Sequence, residues 1–251
     1  MKKKTIFGSL DVELTEGVVS RRGALTRSGK MAGTVALASM PVAFGLMAKR
    51  AVAQPSRPSR DIVDVLNFAL TLEYLEDEFY RTALNTGIIP PADLPIFQQI
   101  SAHEVAHVAL LQSALGASAV AKPNLDFTAG GVFDPFGDYE IFKALSQGFE
   151  DTGVRAYKGQ AANLMADDAI LTTALQIHSV EARHASAVRR LRGQKGWITG
   201  NQVDVPQLQP VYAGEEAANG TASSAAAAEA FDEPLTMQAV LDIANLFIVP
   251  A

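Results

Sequence analysis

Residues 101–116 read SAHEVAHVALLQSALG, and residues 179–191 read SVEARHASAVRRL. Glu104 and His107 stand three positions apart in the first stretch, and Glu181 and His184 do the same in the second. Positions i and i+3 of a helix share a face, so each pair can offer a carboxylate and an imidazole to one metal ion. Both stretches sit in helical patterns. Ile96, Ile100, Val108 and Leu111 surround the first, and Leu171, Leu175, Ile177, Val188 and Leu191 surround the second.

Each pair has an upstream partner. Glu73 precedes Glu104 by 31 residues, and Glu150 precedes Glu181 by 31. Glu73 lies in a helical pattern from Asp61 to Leu84 that stops at Gly87 and Pro90-Pro91. Glu150 lies in another, from Asp138 to about Met165, through Ile141, Phe142, Leu145 and Phe149. With Asp93–Leu115 and Asp168–Arg192 these make four long helices, each with its glutamate near mid-height at about 1.5 Å per residue. Short connections inside the first and last pairs predict two antiparallel hairpins. The 22 residues from Gly116 to Gly137 predict a crossover along an all-α four-helix bundle.

The spacing therefore reads as two copies of one half-site: Glu73 with Glu104 and His107, Glu150 with Glu181 and His184. Together they form the six-ligand set of a di-metal carboxylate centre. Hard oxygen donors with one imidazole per ion suit two iron ions, with two manganese as the alternative. Leu72, Val105, Phe149 and Val180 are apolar neighbours that would make mid-helix glutamates costly to bury without a cation. Beside these ligands, His103, His178, Glu76 and Tyr157 are candidates for groups that orient them. Glu76 and Asp77 also read as a solvated or hydrogen-bonded edge, and Tyr74, Tyr80 and Tyr157 as packing or, alternatively, as redox-active neighbours of the site. A competing motif overlaps the site, since His103-Glu104-Val105-Ala106-His107 matches the H-E-x-x-H of zinc metalloproteases. It leaves Glu73, Glu150 and the second E-x-x-H without a role.

The chain has 251 residues, 48% of them hydrophobic, and no cysteine, which gives a sizeable core and excludes disulfides and thiolate metal sites. Residues 1–53 read as an export signal. Arg21-Arg22 precede an uncharged stretch from Met31 to Ala48 and the small-x-small site Ala51-Val52-Ala53. The paired arginines resemble the twin-arginine type, although Ala24 replaces the usual Phe and Lys49-Arg50 interrupt the apolar run. The expected mature chain starts near Gln54, is periplasmic or extracellular, and keeps no stable membrane insertion. It carries 12 basic and 24 acidic residues, a net charge of −12 that speaks against nucleic-acid binding. The bundle is expected over 54–193. A mostly irregular extension follows over 194–251, with a fifth helix near 236–248.

The segments LTLEYLEDEFY, SAHEVAHVALLQSALG, LSQGFEDTGVRAYKGQA and SVEARHASAVRRL resemble the ferritin-like domain family, which includes desiccation-related proteins and many exported bacterial proteins. The resemblance covers about residues 60–193 and implies a ferritin-like bundle with a di-metal site at Glu73, Glu104, His107, Glu150, Glu181 and His184. It implies iron or manganese as cofactor, oxygen or peroxide as partner, and leaves room for a homo-oligomer. The function to expect is ferroxidase- or catalase-like: metal oxidation, or oxygen and peroxide handling under stress. A non-enzymatic, stress-protective structural bundle is the alternative.

Overall fold

The computed structural model describes residues 60–201, 203–216 and 224–250. The expected export signal, residues 1–53, lies outside the described residues. Four long helices come first: α1 (Arg60–Thr86), α2 (Leu94–Leu115), α3 (Tyr139–Gln160) and α4 (Asp168–Leu191). Their ends follow from local chemistry. Asp138 and Asp167 cap α3 and α4, each accepting two backbone N–H groups of the first turn. α2 stops at Gly116, whose φ of +54° would strain a residue carrying a Cβ. α3 ends before Met165, because the chain tightens into a 3-10 turn over Ala161–Leu164.

α1 packs against α2 and α3 against α4, as two hairpins. The long link between them travels along α1. The Ser118 carbonyl accepts from Asn67, Lys122 bonds Glu78, and the Phe127 ring lies 5.2 Å from that of Phe79. It returns the chain to the end where α2 began, and there the Tyr139 hydroxyl donates to Asp93 at 2.7 Å. α3 therefore runs antiparallel to α1. This is the expected all-α bundle, with its one crossover between the second and third helices.

The core has two parts, one on either side of bundle mid-height. One is aromatic: Phe79, Tyr80, Phe97, Phe142 and Phe149 interlock, with the Phe97 and Phe142 ring centroids 4.8 Å apart. The other is mainly aliphatic, with Ile62, Val65, Leu66, Leu70, Leu111 and Ile177. Each large apolar side chain buried there is worth about 1.5–3 kcal/mol. The two clusters hold all four helices in register at the level between them.

The C-terminal extension is docked along α3. Leu208, Val211, Tyr212 and Phe247 are buried in the aromatic part of the core. Arg155 of α3 is completely buried, donating to the carbonyls of Val211, Ala213 and Glu233 and pairing with Glu215 at 3.1 Å. Two short helices follow, α5 (Ser224–Ala230) and α6 (Met237–Ala244). The helix expected over 236–248 is thus five residues shorter, one at its start and four at its end. Its last part is instead a strand, β2 (Ile248–Val249), paired antiparallel with β1 (Asn124–Leu125) of the crossover. An extended partner fixes those residues extended, whatever their helical pattern. Among the described residues, no helix is long and apolar enough to cross a membrane.

Candidate metal centre

Between the two parts of the core, the helices bring six side chains to one level. Glu73 comes from α1, Glu104 and His107 from α2, Glu150 from α3, and Glu181 and His184 from α4; all are buried. They form two overlapping groups. Glu73, Glu104, His107 and Glu181 offer one ligand atom each, all within 4.8 Å of one another, and Glu104, Glu150, Glu181 and His184 do the same. Glu104 and Glu181 belong to both. His107 Nδ1 lies 3.0 Å from Glu104 Oε2 and 3.2 Å from Glu181 Oε1, whereas His184 Nδ1 lies 3.0 Å from Glu104 Oε1 and 4.0 Å from Glu181 Oε2. Each of these two carboxylates thus turns one oxygen to each histidine. Glu73 Oε2 sits 3.2 Å from His107, and Glu150 Oε2 3.1 Å from His184.

The electrostatics are those of a cation site. Burial pushes Glu73 up to about 7 against the pull of His107, and pushes Glu150 well above the usual carboxylate range against that of His184. Burial would lower His107, yet Glu73 and Glu104 outweigh it and hold the imidazole well above its ordinary value. Burial and Glu181 push Glu104 up, but the two histidines bring it below its ordinary value. Glu104 Oε1 and both oxygens of Glu181 accept no hydrogen bond, although they are buried. Orphaned buried carboxylate oxygens are rare and costly. Hard oxygen donors with one imidazole per group fit iron or manganese, and divalent ions in the two groups would satisfy these oxygens.

The four helices, their crossover and this cluster find a match among known families. A ferritin-like domain family matches residues 61–194, more than half the chain. The chain belongs to that family. No protein of curated function matches it. Within the ferritin-like bundle, adding 77 to the numbers of Glu73, Glu104 and His107 gives Glu150, Glu181 and His184. The same offset carries Tyr80 to Tyr157, and the two do equivalent work. Tyr80 donates to Glu150 Oε1 and Tyr157 to Glu73 Oε1, both at 2.5 Å. Tyr80 is the site residue that reads first as packing in sequence; its 77-residue relation to Tyr157 is the signal that marks it.

The remaining candidates separate in this ferritin-like site. Tyr157 donates to Glu73, and His103 backs His184: its Nδ1 meets His184 Nε2 at 2.8 Å, with the rings stacked at 14°. His103 does not converge with His107, and that disfavours the H-E-x-x-H zinc site. His178 contacts none of the six. It lies one turn before Glu181, half-buried, with its ring toward the backbone of Val154. Asp77 and Glu76 are both buried rather than solvated; Asp77 is hydrogen-bonded to Arg81, whereas Glu76 faces the other carboxylates. Val105 points outward, 48% exposed, and shields nothing. One turn from the ligands, Ala69, Leu72, Leu111, Tyr157 and Ile177 line an apolar cavity of about 40 Å³.

Proposed function

We propose that this ferritin-like chain holds two iron ions, or two manganese ions, and uses them to reduce an oxidant. Glu73, Glu104, His107 and Glu181 would take one ion; Glu104, Glu150, Glu181 and His184 would take the other. Bound there, two such ions would supply two electrons for the reduction of oxygen or peroxide as they pass from the divalent to the trivalent state. The chain's own residues supply the rest. The shared carboxylates can shift between one- and two-oxygen binding as charge changes, Tyr80 and Tyr157 fix the two unshared ones, and His103 holds the ring of His184 by a hydrogen bond between the two imidazoles. The packed core keeps bulk water out.

The adjoining cavity supports dioxygen over hydrogen peroxide. Its wall is almost wholly apolar, and a peroxide would lose its hydrogen bonds on entry at a cost of several kcal/mol, whereas dioxygen has none to lose. The paired basic residues and small-x-small site before Gln54 support export, and so a role in handling metal or oxidant outside the cytoplasm.

The observation that carries the reading is the pair of overlapping donor groups with three orphaned carboxylate oxygens. A purely structural bundle has no use for mid-helix glutamates buried without cations. The test is elemental mass spectrometry on the protein purified without added metal, beside a Glu104→Ala/Glu181→Ala double variant. We expect about two iron or manganese per chain, lost in the variant, and oxygen consumption on adding ferrous ion. One zinc that survives the double substitution would turn the reading to the protease. No metal, even after anaerobic ferrous reconstitution, would leave the structural bundle.

A further inference from the structure

The end of the fourth helix carries a run of cations that the metal centre does not use. From Gln54 onward the chain has 12 Lys and Arg, and four of them fall in residues 189–195, RRLRGQK. Cations suit a helix C-terminus on any surface. Three of these, however, face one cavity. Arg189, Arg192 and Lys195 line a polar cleft of about 180 Å³ together with Trp197 and Asp204. None of the six donors of the metal centre lines it.

Each of the three cations has an acidic partner, but only Asp204 among those partners lines the cleft. Arg189 is buried and pairs with Asp151, and Tyr212 donates to the same carboxylate at 2.6 Å. Lys195 pairs with Glu229 of α5 at 2.6 Å, and the Trp197 indole donates to that carboxylate at 3.0 Å, so one side chain fixes both. Three cations against one lining carboxylate leave two positive charges in excess on the walls, in a chain that is acidic as a whole. Arg192 donates to Gln147 at 2.5 Å and to Asp204, whose side chain is 65% exposed. A pair that solvated is weak, and the planar guanidinium fork suits any carboxylate that takes Asp204's place. Trp197 is 46% exposed. An inorganic anion would leave that indole uncovered, whereas a ring would stack on it. The volume is also sufficient, since about 150 Å³ admits benzene into an apolar cavity.

We propose that this cleft binds a small planar organic carboxylate. Its anionic end replaces Asp204 on Arg192, Lys195 adds charge from its half-exposed position, and its ring lies against Trp197. The site is separate from the two-ion reading, and neither depends on the other.

Trp197 is the only tryptophan of the chain, so its fluorescence reports on this cleft alone. The experiment is a titration of the full chain with benzoate, read by that fluorescence. Benzamide, a ring without the charge, and inorganic phosphate, a charge without the ring, are the comparison probes. We expect a saturable change with benzoate, and midpoints about tenfold higher or more for the other two. Arg192→Met should raise the benzoate midpoint about tenfold or more, because it removes a charged hydrogen-bond donor. Asp204→Asn should lower it about threefold, since the competing charge is gone, and a damaged fold does not tighten binding. A response that never saturates, or one unchanged in both variants, is collisional quenching and overturns the proposal. Phosphate binding as tightly as benzoate would overturn the assignment to a ring-bearing ligand.

Discussion

The two hairpins build equivalent halves of one site and share almost nothing beyond it. Position for position, Glu73, Tyr80, Glu104 and His107 repeat as Glu150, Tyr157, Glu181 and His184. Yet α3 is buried along nearly its whole length by the C-terminal extension, whereas α1 meets the crossover through exposed ties such as Glu78 to Lys122. The same offset that links the ligands links Glu78 to Arg155: a surface carboxylate in one hairpin, a wholly buried guanidinium in the other. Equal ligands need equal geometry at mid-height only; a turn away, each helix answers to what covers it.

Arg155→Met should break this comparison most. It strips donors from three backbone carbonyls and leaves Glu215 buried without its cation, and we expect a loss of about 3–5 kcal/mol in chemical denaturation. A loss below 1 kcal/mol would mean that the extension adds little. The shared site should respond to pH as one unit in protein stripped of metal. Glu73 and His184 both hold a proton more tightly folded than unfolded, with values near 7 and 11 against ordinary values of 4.5 and 6.5. Their contribution is therefore complete below the unfolded values and is lost as pH rises through the folded ones. Tm should fall from pH 5 to pH 8, and the rise in Tm on adding Mn²⁺ should grow over the same range, because ions compete with those protons. A Tm that rises with pH in stripped protein would contradict it.

Tyr80→Phe and Tyr157→Phe sharpen the equivalence. Each removes one hydrogen bond to a buried carboxylate, worth about 1.5–3 kcal/mol, so both should lower stability alike. A difference above about 1 kcal/mol would show that the half-sites are not energetic copies. Glu78→Ala should do least, under about 1 kcal/mol, since its ion pair is largely solvated.

The helices and all six cluster residues were legible in sequence, because period and spacing are local properties. Glu104 and His107 must share a face once α2 is helical, whatever packs on it. Tertiary facts were not legible in the same way. Ile248 carries a helical pattern, yet it pairs as a strand because Leu125 lies beside it. His178 stands as close to Glu181 in sequence as His184 does, but on the other side, and its ring turns to the Val154 backbone. Glu76 reads as an edge, yet it is buried, its carboxylate beside Gly153 on a helix more than 70 positions away.

The pairing of β1 with β2 sets an order of events in synthesis. Asn124 and Val249 meet across more than 120 residues, so the second partner is made long after the first. Both hairpins, with every ligand, have emerged well before that moment. The crossover cannot be clasped until Ile248 and Val249 have emerged, and a chain cut just before Ile248 would keep its six donors while leaving the link along α1 unfastened.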